Sequence, residues 1–269
     1  MNYVLEVSFY LGCKINCSYC PQNILYKNTS IKKMTPDEYK TFISSVPSDV
    51  EIAFCGMSEP LLYEHFSSLA YYTHKKGHSI SCFTTLATKN KENIQTLFDD
   101  NIWKRRCVHI IDEHMSCKID DEYLSNIEKF FLKIEKNDRE KNTISILTKS
   151  LDFRINDMLK KYNIEHLPYY EIPYMRIKSP IHRYKDPIVP KKLEGKIYCS
   201  QNHDKIQHLL PDGNVVICCM DVEKKHILGN LKTQTYNSLF SGSEYKKIIK
   251  GFDADLNTIC RNCIMAKNY

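Results

Sequence analysis

Cys13, Cys17 and Cys20 place three thiols within eight residues, directly after an apolar run and directly before Pro21. Three thiolates so spaced can wrap one corner of a cuboidal iron-sulfur cluster, whereas a structural cluster or a structural zinc takes four protein ligands. The missing ligand leaves one iron open to a small molecule. A second set lies near the C-terminus: Cys199, one of the adjacent pair Cys218 and Cys219, Cys260 and Cys263. Four thiolates suit either zinc or a fully ligated cluster. Neighbouring strand residues face opposite sides, so only one of Cys218 and Cys219 can join this set. Cys55, Cys82, Cys107 and Cys117 stand singly in or near apolar runs, where a buried reduced thiol is the simplest reading.

The surrounding composition is that of a globular chain. Of 269 residues, 42% are hydrophobic and 26% charged, which excludes disorder. The net charge of +6 suits an anionic ligand and is too small to argue for nucleic acid. Met1-Asn2-Tyr3-Val4-Leu5-Glu6 has no secretory pattern, and no apolar run approaches a membrane span. Twelve cysteines in clustered CxxC-type spacing then point to metal in a reducing, cytoplasmic setting and not to disulfides.

The elements that must position these thiols alternate along the chain. Apolar runs predict strands over residues 5–11, 50–54, 79–85, 107–111, 143–147 and 164–172. Helical periodicity predicts helices from Thr35 to about Val46 and over 61–76, 90–98, 120–135 and 155–162. Thr35-Pro36-Asp37-Glu38 has the composition of a helix start, with a capping hydroxyl, proline at the first position and acid in the first turn. Six such strand-helix units predict an α/β fold, a partial (β/α)6 TIM-like barrel over residues 1–176, with functional residues at the strand C-terminal ends. Both the cysteine loop and Gly56-Met57-Ser58-Glu59-Pro60 fall there. A Pro- and Lys-rich stretch over 177–198 reads as a connector. Residues 199–269 read as a small module of one β-hairpin, turning at Pro211-Asp212-Gly213-Asn214, plus a helix beginning near Ser238. Its core is too small to stand alone, so a bound cluster would help fix it.

These residues resemble a known family. Cys13-x3-Cys17-x2-Cys20, with Tyr19 before the last cysteine, is similar to the signature of the radical S-adenosylmethionine (SAM) superfamily. The Gly56 to Pro60 turn resembles that family's glycine-rich Glu-Pro turn after the second strand. Cys199-x13-Gly213-x4-Cys218 followed by Cys260-x2-Cys263 resembles the first part of its SPASM extension, in the shortened form called a twitch domain. That spacing selects Cys218 over Cys219 and iron over zinc. The resemblance implies two 4Fe-4S clusters, one at Cys13, Cys17 and Cys20 and an auxiliary one at Cys199, Cys218, Cys260 and Cys263. It implies SAM on the open iron and a 5'-deoxyadenosyl radical that takes a substrate hydrogen. Gly56, Met57, Ser58 and Glu59 would lie against the methionine amino group and Tyr19 against the adenine. Met57-Ser58 replaces the commoner glycine pair. Thr84 and Thr85 stand where many members have Thr-Asn and would hold the ribose or carboxylate. Glu59 could equally cap the helix that follows it.

The expected reaction resembles that of the radical SAM aminocyclitol dehydrogenases: an alcohol of a small polyol, sugar or aminocyclitol is oxidised, with the auxiliary cluster as electron acceptor. Such an oxidation needs a base near the hydroxyl. Arg176, His182 and Arg183 are candidates for that role or for substrate binding, and could also be solvated linker residues. The expected partners are the small-molecule substrate and a flavodoxin- or ferredoxin-type reductant under anaerobic conditions, with neither nucleic acid nor membrane. Alternatives are a peptide maturase, a sugar epimerase using Cys55, Cys82, Cys107 or Cys117 as hydrogen donor, and a non-enzymatic iron-sulfur or zinc protein.

Overall fold

The computed structural model describes residues 3–15, 33–111, 118–135, 141–146, 151–164, 192–200, 202, 205–263 and 265–269. Five parallel strands form its centre: β1 (Val4–Val7), β2 (Glu51–Phe54), β3 (Ile80–Thr84), β4 (Trp103–Ile110) and β5 (Asn142–Ile146). Helices α1 (Pro36–Ser44), α2 (Phe66–Lys75), α3 (Lys91–Leu97) and α4 (Asp121–Glu135) connect them, and α5 (Phe153–Lys161) follows β5. The alternation and parallel pairing are those of a partial α/β barrel. Of the sixth predicted strand, 164–172, only Ile164 belongs to the described residues.

The helices start where their sequences provide caps. Thr35 Oγ1 accepts the Glu38 N–H at 3.2 Å while Glu38 Oε2 accepts the Thr35 N–H at 3.0 Å, a complete capping box before α1. Asn90 and Asp152 side chains cap α3 and α5 in the same sense. Apolar residues of alternate strand positions, Leu5, Val7, Ile52, Phe54, Ile80, Val108 and Ile110, are buried in the main core under the helices. Phe9, Phe54, Tyr63, Phe66 and Trp103 stack there with ring centroids 4.6 to 6.1 Å apart along the chain of contacts.

Two predicted helices are divided, and one predicted strand starts earlier. Instead of one helix over 61–76 there is a 3-10 turn, Pro60–Leu62, and then α2, because the Glu59 carboxylate caps the short turn at Leu61 N–H. β4 begins at Trp103, four residues before its apolar run, since the charge of Arg106 is satisfied internally by Asp100 at 2.7 Å and by the Leu97 carbonyl at 2.9 Å. The predicted C-terminal helix is two, α6 (Tyr236–Leu239) and α7 (Ser243–Asp253), separated around Gly242.

The C-terminal region adds β6 (Ile197–Cys199), β7 (Ile206–Leu209), β8 (Asn214–Val216), β9 (Ile227–Asn230) and β10 (Ala266–Asn268). β7 and β8 form the predicted hairpin, and Gly213 at its turn has φ +88°, where a Cβ would lie 2.7 Å from Asn230 Oδ1. The pairing of β7 was not visible in the sequence. It lies parallel beside β1, so one eight-stranded sheet runs β5-β4-β3-β2-β1-β7-β8-β9. β6 and β10 pair separately and antiparallel.

Candidate active site and auxiliary cysteine site

Strands that send apolar residues to the helices send polar ones to the other face. Glu6, Ser8, Cys55, Phe83, Arg105, Cys107, His109 and His208 occupy that inner face by alternation and register. Cys82 belongs to the core under the helices. The Arg105 guanidinium lies 5.0 Å from the Phe83 ring centre, and His109 stacks on the same ring at 6.3 Å and 22°. His109 Nδ1 is buried with no hydrogen-bond partner among the described residues. Burial pushes the pKa of that imidazole down to about 4, so it stays neutral.

At the C-terminal ends of β2 and β3 the Gly56 to Pro60 turn is built around Glu59. This carboxylate is buried, and it accepts bonds from Leu61 N–H at 3.1 Å, Thr85 N–H at 2.6 Å, Thr85 Oγ1 at 2.8 Å and Thr84 Oγ1. Burial raises its pKa while these four donors oppose the rise. Tyr10 Oη donates to the Glu59 carbonyl at 2.9 Å, tying the turn to the end of the first strand. Thr84 and Thr85, predicted to touch cofactor, hold Glu59 in this structure. Gly56 has φ +94°, and a Cβ there would stand 1.9 Å from His208 Cε1. Ser58 Oγ is buried without a partner among the described residues. Cys13 follows β1 and is partly exposed. Cys17, Tyr19 and Cys20 lie outside the described residues, as do Cys117, Arg176, His182 and Arg183.

In the C-terminal region Cys199, Cys218, Cys260 and Cys263 line one pocket, whose other walls include Ile217, Met220, Phe252 and Ile259. Cys219 turns the other way, and its thiol and that of Cys55 both lie against the Glu6 carboxylate. Burial pushes the Cys218 and Cys263 thiols up, while N–H groups of Met220, Met265 and Ala266 directed at their sulfurs oppose it. Four thiols with N–H donors in an apolar wall fit an iron-sulfur cluster. Among the described residues no three His, Cys, Asp or Glu side chains converge closely enough for a single ion. Arg261, between two of the cysteines and fully buried, donates to the carbonyls of Gly251, Leu193, Gly195, Phe252 and Ala254. His226 links Glu244 at 2.5 Å to the Ile259 N–H at 3.0 Å. Neither anchor was legible in the sequence, because the partners of Arg261 are backbone carbonyls, which carry no residue-type signal, and Glu244 and Ile259 meet His226 only in the fold.

Comparison with known proteins places these observations. Residues 199–264 match the family model of SPASM, the iron-sulfur cluster-binding domain. The whole chain superimposes on BtrN, solved in complex with AdoMet and 2-DOIA, with TM-score 0.61 and 16% identity, covering 100% of this chain and 94% of BtrN. Streptococcus suis SuiB bound to the precursor peptide SuiA gives 0.61 and 12%, covering 98% and 70%. anSMEcpe with bound AdoMet gives 0.57 and 15%, covering 98% and 84%. A search of the curated proteins found no match. The chain therefore has the fold of the radical SAM enzymes and carries at 199–264 a SPASM-type iron-sulfur cluster-binding domain. Among the described residues no helix is long and apolar enough to cross a membrane.

Proposed function

We propose that this protein is a radical SAM enzyme that oxidises an alcohol of a small polyol, sugar or aminocyclitol, with 4Fe-4S clusters at Cys13, Cys17 and Cys20 and at Cys199, Cys218, Cys260 and Cys263. The auxiliary cluster would serve as electron acceptor and a flavodoxin- or ferredoxin-type protein as reductant. The observation that carries the reading is the Glu59 turn: a buried carboxylate at the strand C-terminal ends, fixed by Thr84 and Thr85 and tied through Tyr10 to the end of the first strand. When bound, cluster and SAM supply a radical able to take hydrogen from an unactivated carbon.

The chain's own part is binding, orientation and proton handling. Gly56 to Glu59 offer backbone carbonyls and one carboxylate to the cationic methionine amino group. The polar inner face, with Glu6, Arg105 and His109, suits a hydroxyl-bearing substrate better than an apolar one. His109, neutral and with Nδ1 free of partners among the described residues, would accept a hydroxyl proton, and Arg176, His182 and Arg183 are candidates to bind the substrate or help deprotonate it. BtrN, of closely similar length, was solved with 2-DOIA, which favours a small molecule over the peptide seen with SuiB.

A second reading, epimerisation, draws on the thiols of Cys55 and Cys107, which face inward as a hydrogen donor must, whereas Cys82 does not. The anaerobically reconstituted protein should release 5'-deoxyadenosine with dithionite, and Ala at Cys13, Cys17 and Cys20 should abolish this; persistence of SAM cleavage in that variant would refute the assignment. Product analysis in deuterated water separates the reactions: oxidation gives a ketone, epimerisation places solvent deuterium on carbon.

A further inference from the structure

His208 reaches across from β7 to the turn between β2 and its 3-10 turn, though it lies 200 positions from Ser8 and 202 from Glu6. Its Nδ1 lies 3.1 Å from Glu6 Oε2 and its Nε2 lies 2.8 Å from Ser8 Oγ. Ser8 Oγ in turn accepts the Met57 N–H at 2.7 Å. With a carboxylate facing Nδ1, that nitrogen carries the proton, Nε2 at 2.8 Å accepts the Ser8 O–H in preference to the Cys55 carbonyl at 3.4 Å, and a Ser8 lone pair holds the Met57 amide. The donors thus run in one direction, from turn amide to Ser8 to His208 and from His208 to Glu6.

These distances match those of a Ser-His-Glu nucleophile triad. Two observations exclude that use. Ser8 and His208 are both completely buried, and the Ser8 oxygen is occupied by the amide it accepts. What the ring touches instead is Gly56. A Cβ at position 56 would lie 1.9 Å from His208 Cε1, 2.7 Å from Nε2 and 2.8 Å from Ser8 Oγ, so the imidazole packs against the bare glycine backbone. The turn's shape is fixed from below by its own glycine and from the side by a residue of the C-terminal region.

We propose that Glu6, His208 and Ser8 form a buried relay through which strand β7 holds the Gly56-Met57 backbone in its SAM-binding shape, making His208 a positioning residue for SAM. The inference rests on the reading of that turn as the SAM site. It gives the C-terminal region a second task beside its cysteines: β7, next to β1 in the sheet, supports the turn that follows β2.

The test uses the full-length, anaerobically reconstituted protein with Ser8→Ala, His208→Leu and His208→Gln. Ser8→Ala removes one buried oxygen and should leave the fold and the iron content of wild type, which thermal melting and iron counting verify. It should weaken SAM binding by about tenfold, the equivalent of one lost hydrogen bond. Amide exchange of the Met57-containing peptide should accelerate in both Ser8→Ala and His208→Leu, and His208→Gln, which can still accept from Ser8 and donate to Glu6, should restore most of the SAM affinity. Wild-type affinity and unchanged Met57 exchange in Ser8→Ala would overturn the relay. If wild type itself failed to bind SAM, the functional reading would fall, while the exchange measurement would still decide whether the relay holds the turn.

Discussion

Glu59 is the residue at which several requirements meet. Its two oxygens receive four donors from Leu61, Thr84 and Thr85 in a buried site, so replacing one oxygen by the NH2 of an amide sets a donor against donors. Glu59→Gln should lower SAM affinity at least tenfold, measured by equilibrium dialysis, with the Thr85→Ala variant showing a smaller loss. The choice between adjacent thiols is equally local. Cys218→Ala should drop the iron content from about eight to about four per chain, while Cys219→Ala should keep about eight, because only the first thiol lines the pocket. The Glu-Pro turn and the cysteine spacings were readable because they are contiguous patterns. Ser8 and His208 were not, since a serine in a strand and a histidine in a hairpin carry no signal until register pairs β1 with β7.

At the scale of elements, the sequence was most informative where local chemistry decides. The Thr35 cap of α1 was legible and is present, the structure adding the reciprocal Glu38 bond, and Thr35→Ala should cost about 1 kcal/mol in denaturant unfolding. The early start of β4 was hidden by Lys104, Arg105 and Arg106, a charged run that reads as loop until Asp100 and the Leu97 carbonyl are brought against Arg106. Arg261 is the corresponding surprise in the C-terminal region. It gathers five carbonyls from the segment at Leu193 and Gly195 and from the end of α7, and so fixes the Cys260 to Cys263 turn. Arg261→Ala removes the donor from all five, of which the Ala254 carbonyl keeps the Leu256 N–H, and each carbonyl left unpaired costs roughly 1 to 3 kcal/mol where water cannot replace the donor. The expected outcome is loss of the auxiliary cluster's iron with Cys13, Cys17 and Cys20 still loaded, read by iron counting and SAM binding together.

For the molecule as a whole, the inner face ties function to stability. His109, held neutral by burial with a pKa of about 4, titrates below its unfolded value. The unfolded chain takes up that proton first, so the stability His109 contributes is complete above about pH 6.5 and is lost as pH falls toward 4. Denaturant midpoints at pH 7 and pH 5 should therefore differ less in His109→Gln than in wild type. The barrel-like alternation and the cysteine-rich C-terminal region were both legible, whereas their union into one sheet was not, because parallel pairing between distant strands leaves no local trace.

That union also sets an order of events for a chain made from its N-terminus. β1 emerges first, yet one of its two edges waits for β7, about two hundred residues later. Until then its amides and carbonyls on that side lack their partner, an open template for association with other nascent chains. The strand that begins the fold is among the last to be closed, so slow refolding and aggregation of C-terminally truncated chains are the expected biogenesis cost of this architecture.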